Sequence, residues 1–125
     1  MKIIKNSFIL ISIFISVFKS QAMTTAPPDS EKCNIMISFI SIGEGTDYKA
    51  KEKLDAYLIK KETDGIKFSL DKFRWGREGE EDYCLKLYQL NKKAMMQIIE
   101  DIKKMFSGNK LILIEENSEP KHKAP

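Results

Sequence analysis

The chain has 125 residues, with 21 Lys and Arg against 18 Asp and Glu, two cysteines and one histidine. Two cysteines cannot build a structural zinc centre, and the single histidine, His122, stands in the polar C-terminal stretch, which argues against Ser–His and Cys–His catalysis and against histidine-based zinc. The basic excess comes from three lysines in residues 1–22; without them the chain carries 18 charges of each sign, and a general attraction to nucleic acid or anionic lipid disappears.

Residues 1–22 have the form of a secretory signal peptide. Lys2 and Lys5 make a basic start, Phe8–Phe18 is apolar apart from serines, and Ser20 and Ala22 are small residues at the cleavage positions. Cleavage after Ala22 is expected. The run is shorter than the roughly 20 apolar residues of a transmembrane helix, although an uncleaved anchor is the alternative. Ser30, Glu31 and Lys32 are too polar to precede a lipidated Cys33. The expected destination is therefore periplasmic or extracellular. Residues 23–32, with Pro27 and Pro28, read as a flexible leader.

Residues 33–115 are expected to form one α+β domain. Asn34–Ile42 is a strand with apolar residues on both faces, as in the middle of a sheet. Ser41, Gly43 and Gly45 form a loop into a helix capped by Thr46 or Asp47 and running to about Glu62, with Ala50, Leu54, Tyr57 and Leu58 as its buried stripe. Ile66, Phe68 and Leu70 alternate with polar residues as a half-buried strand does. Phe73 and Trp75 fall on the opposite phase, which requires a bulge near Asp71 or aromatics on the other face. Gly76–Glu81 reads as a hairpin loop and Asp82–Leu90 as the return strand.

Asn91–Gly108 carries the clearest helical pattern. Met95, Ile98, Ile99, Ile102, Met105 and Phe106 share one face, Asn91 is a good N-cap, and Gly108 suits a left-handed C-cap. Leu111–Ile114 is a final short strand, and residues 116–125 form a polar tail expected to be disordered. The order strand, helix, strand, strand, helix, strand predicts a ferredoxin-like βαββαβ sandwich. Its four antiparallel strands would lie in the order fourth, first, third, second, with both helices on one face.

Cys33 and Cys84 in an exported chain point to a disulfide. The expected topology opposes it. Cys33 begins the first strand and would face the region of Leu90, leaving about 20 Å to Cys84 at roughly 3.4 Å per residue. Three alternatives follow: Cys33 folds back from the leader, the thiols are free, or the fold differs.

Two segments carry the candidate binding residues. The Gly43–Asp47 loop, with Gly43 and Gly45, could offer backbone amides to an anion, although Glu44 and Asp47 repel one. The hairpin around Trp75, Arg77 and Glu78 combines residue types that anchor interfaces with a charged tip. Its acids lack the spacing of a calcium loop, and no cofactor fingerprint occurs. Met36, Ile40, Ile42 and Tyr88 are expected on an uncovered sheet face. The expectation is a small non-enzymatic exported domain without cofactor that binds a protein partner or itself through that face and the 75–82 hairpin. The alternative is a small-molecule or ion-binding module using the glycine loop or the acidic hairpin.

Overall fold

The computed structural model describes residues 32–122. The expected signal peptide, and the leader up to residue 31, lie outside the described residues. Six elements follow in order: β1 (Cys33–Phe39), α1 (Tyr48–Thr63), β2 (Ser69–Arg74), β3 (Glu81–Lys86), α2 (Lys92–Met105) and β4 (Ile112–Ser118). The sheet has the order β2-β3-β1-β4 with every neighbouring pair antiparallel, which is the ferredoxin-like arrangement expected from the pattern of elements.

Local chemistry starts and stops the helices. The Asp47 side chain accepts from the Ala50 amide at 3.0 Å, and Asn91 accepts from Ala94 at 2.8 Å, so each helix has one otherwise orphaned donor satisfied. Gly108, just beyond α2, has φ +79°, a conformation glycine adopts without a Cβ clash. Ala50, Leu54 and Leu58 of α1 and Ile98, Ile99 and Ile102 of α2 are buried. They join Ile35, Ile37, Phe39, Tyr83 and Leu85 of the sheet in one core, so both helices cover the same face. Each buried aliphatic or aromatic side chain contributes about 1.5–3 kcal/mol of transfer free energy.

A polar contact joins the helices at their flank. Tyr57 donates to Asp101 at 2.8 Å. Burial, and then the Asp101 carboxylate, push the Tyr57 phenol above its ordinary value, while Tyr57 and Gln97 hold Asp101 below its own.

All four strands differ from their expected limits, and β1 ends at Phe39 rather than Ile42. β2 begins at Ser69 and pairs with β3 without interruption from Ser69↔Lys86 to Arg74↔Glu81, so there is no bulge at Asp71. Phe73 instead faces the side of the sheet away from the helices, where it packs on Cys33, Met36 and Cys84. β3 ends at Lys86 rather than Leu90, because the chain turns there and the Leu90 amide bonds back to the Leu87 carbonyl at 2.9 Å. β4 continues to Ser118, four residues past its expected end, because β1 offers partners as far as Cys33↔Ser118.

The shorter β3 resolves the cysteine conflict. Cys84 lies opposite Met36, not far along the strand from it. Alternation then slips at Asn34. Cys33 joins the Met36 side instead of the Ile35 side, the β1–β4 pairing skips Asn34 and Asn117, and Asn117 takes φ 50°. The Asn34 side chain accepts from the Leu87 amide in place of a regular ladder bond. Cys33 and Cys84 consequently stand 5.1 Å apart at Cα and form a disulfide with the expected fold intact. Such a bond points to a compartment outside the cytosol. Among the described residues, no helix is long and apolar enough to cross a membrane.

Candidate functional site

The two segments singled out in the sequence meet. The β2–β3 hairpin closes with the Trp75 amide bonded to the Glu80 carbonyl at 3.1 Å. Glu80 then turns inward and is only 8% exposed. One carboxylate oxygen accepts from the Ser41 hydroxyl at 2.6 Å and the other from the Glu78 amide at 2.8 Å. The Ser41 bond, followed by backbone amides, holds the Glu80 carboxyl below the usual carboxylate range. Gly76 takes φ +69°, where an L side chain is strained, and a Cβ there would also displace the Glu80 carboxylate.

The glycine loop directs its donors to the hairpin. The Gly45 amide bonds the Glu78 carboxylate at 3.4 Å, Thr46 donates to the Gly79 carbonyl at 3.5 Å, and the Lys51 ammonium reaches that same carbonyl. The loop amide that could have met an anion faces a carboxylate of its own chain. The acids of the hairpin are likewise directed to separate partners: Glu80 to Ser41 and the Glu78 amide, Glu81 to Lys51, and Asp82 to Trp75 and His122. Among the described residues, no group of three or more His, Cys, Asp or Glu is placed to hold a metal ion.

The second assembly lies on the sheet face away from the helices. The disulfide, Met36 and Phe73 fill its centre. Next to them Asp82 is completely buried, an unusual position for a carboxylate without partners. It has two. The indole N–H of Trp75 donates to one oxygen at 3.0 Å, and Nδ1 of His122 lies 2.6 Å from the other. The imidazole also stacks on the indole, with ring centres 4.3 Å apart and planes 15° from parallel. Glu115 of β4, across from Met36, accepts from Ser118 at 3.0 Å and from the Lys121 ammonium. Lys121 first, and then Ser118, lower the Glu115 carboxyl. Of the tail expected to be disordered, residues 116–118 belong to β4, and Lys121 and His122 meet this face through their side chains.

The expected site residues are therefore partly united. Trp75 is half-buried in the second assembly, with Arg77 and Glu78 exposed on the adjoining tip. Gly43 and Gly45 sit beside that tip, at φ +90° and +85°. Tyr88 is exposed in the turn after β3, about 20 Å away at roughly 3.4 Å per residue. It belongs to neither assembly. The uncovered apolar face also needs correction: Met36 is buried, Ile42 lies in the loop, and Leu113 is the large apolar side chain of β4 left half-exposed. Asp82 and His122 escaped sequence reasoning because 40 residues separate them. The available signal was an acid among the apolar residues of a central strand.

A polar groove of about 510 Å³ lies between α1 and the β2–β3 edge, lined by Tyr48, Lys51, Asp55, Lys72, Arg74 and Tyr83 among others. Its charges are largely paired within the chain. Asp55 accepts from Tyr83 at 3.0 Å and lies 3.3 Å from Lys72, whose ammonium sits 4.4 Å from the Tyr83 ring centre. Burial raises the Tyr83 phenol. Burial also works to lower Lys72, but Tyr83 and Asp55 outweigh it and hold the ammonium above its ordinary value. Lys51 faces Glu81 at 3.6 Å.

No protein-family model, curated protein or solved structure matches this chain, so its function is inferred from these geometries.

Proposed function

We propose that this chain is a small exported, disulfide-stapled domain with a binding rather than a catalytic role, periplasmic or secreted after removal of residues 1–22. It engages a protein partner through the helix-free face and the adjoining 75–82 hairpin. The observation that supports this reading is the asymmetry of the sheet: two helices bury one face, while the other presents Trp75, the exposed Leu113 and a tip braced by Glu80. Trp and Arg on a preorganised support are the residues that most often anchor an interface. A second copy of the chain is the simplest partner to test.

Light scattering on the purified chain measures self-association, and pull-down with the chain as bait recovers other partners. Arg77→Glu and Leu113→Glu alter exposed positions and should leave the fold intact. Loss of the dimer or of a captured partner in both variants supports the assignment. A monomer whose two variants retain everything the parent chain captures contradicts it. The ion-binding alternative is weaker, because Glu78 already holds the Gly45 amide. A thermal shift with phosphate or calcium would favour it.

A further inference from the structure

This inference rests on the protein-binding reading and names the chemistry of the partner. We propose that the helix-free face is a cleft for an extended basic peptide segment, and that residues 119–122 of this chain occupy it in cis. Asp82 carries the argument. A carboxylate with no exposed surface needs donors on both oxygens. Trp75 supplies one from the same hairpin, but the other comes from His122, beyond the last strand. The fold thus builds a buried carboxylate beside an aromatic plate and leaves one side to be completed by a donor from outside the hairpin. A planar nitrogen group fits: it stacks on the indole and directs an N–H at Asp82, as imidazole does here and guanidinium does elsewhere.

A second carboxylate extends the pattern. Glu115 lies on the same face and is met by Lys121, the residue preceding His122. Asp82 and Glu115 are met by two consecutive basic side chains of the tail, within the sequence Pro120-Lys121-His122-Lys123, while Asp71 of this face is paired with Lys86. The described tail segment is only four residues long and His122 keeps 37% of its side chain exposed, so a competing strand can displace it. The partner segment carries Arg or His to meet Trp75 and Asp82, and an adjacent Lys or Arg to meet Glu115. It crosses from Glu115 of β4 to Asp82 of β3, as the tail does.

The test uses the full chain after signal removal and an acetylated peptide spanning Glu119–Pro125. Trp75 is the sole tryptophan and reports directly on the cleft. The Lys121→Ala/His122→Ala chain, with its own tail disengaged, should bind the peptide saturably with a change in Trp75 emission. Its affinity should exceed that of the unmodified chain by about tenfold or more, and the peptide bearing His122→Ala should bind neither chain. Absence of saturable binding to the opened chain, or equal affinity for both chains, overturns the proposal. Near-UV circular dichroism checks the fold, and His122→Ala alone replaces the double variant should that unfold. The defined peptide separates this proposal from the broader reading. A cleft that refuses the peptide while Arg77→Glu and Leu113→Glu lose a partner sinks only the basic-segment proposal.

Discussion

The two faces of the sheet are closed by different physics. On the helix side, Ile35, Ile37, Phe39, Tyr83 and Leu85 meet Leu54, Leu58, Ile98 and Ile102, and the stabilisation is spread over many apolar contacts. On the other side a small cluster of Cys33, Met36, Cys84 and Phe73 is held by one covalent bond, one buried carboxylate and a four-residue segment. The first closure tolerates no large loss of volume and is insensitive to redox conditions. The second depends on a few discrete links, each of which can be cut separately. A small domain without a second helical layer can therefore close one face permanently and leave the other open to competition.

Cutting the covalent link should give the largest effect. Cys33 and Cys84 are 51 residues apart, and opening a loop of that size costs about 4 kcal/mol in the chain-entropy model. The Cys33→Ala/Cys84→Ala chain should melt on the order of 20 °C below the parent, in a scan that includes a reductant control. A melting temperature unmoved by reductant would mean that this face does not depend on its staple.

Next comes a direct contrast between the faces. Leu54→Ala removes a fully buried side chain from the helix-side core and should destabilise by about 3 kcal/mol in urea unfolding. His122→Ala should cost about 1 kcal/mol, because water can reach the freed Asp82 oxygen once the tail lifts. Equal losses would erase the distinction between a core and a removable cover.

The smallest effect is electrostatic. Asp101 and Asp47 both lie below their ordinary 3.8 in the folded chain, Asp101 chiefly through Tyr57 and Asp47 chiefly through the Ala50 amide. The unfolded chain then binds more protons in that range, so stability rises with pH there. It is fully present above 3.8 and is lost as the pH falls through the lower folded values. Tyr57→Phe should flatten this acid limb in urea unfolding followed from about pH 5 to about pH 2. An unchanged slope would show that the bond between the helices does not act on Asp101.

The helix-side architecture was legible because its signals are local and periodic. The stripe from Met95 to Phe106 and the alternation of Ile66, Phe68 and Leu70 each name a face without knowledge of the rest, and the caps, Thr46 or Asp47 for the first helix and Asn91 for the second, name the helix starts. Element order then gave the strand order. The other face depends on register, which periodicity does not determine. Extending β3 to Leu90 placed Cys84 far from Cys33; a turn at Leu87 and a slip at Asn34 brought them together. The Trp75–Asp82–His122 contact needs the tail to return over the sheet, and a polar segment with two prolines carries no pattern that announces this. The hairpin tip was identified by composition, but its brace was not: Ser41 and Glu80 lie 39 residues apart.

Quenching of Trp75 fluorescence by acrylamide, compared between the full chain and its His122→Ala variant, tests most directly whether the tail covers the helix-free face. The variant should be quenched more strongly and emit to the red, with near-UV circular dichroism showing the helix-side core unchanged. Identical quenching and emission in the two chains would contradict a cover at this site.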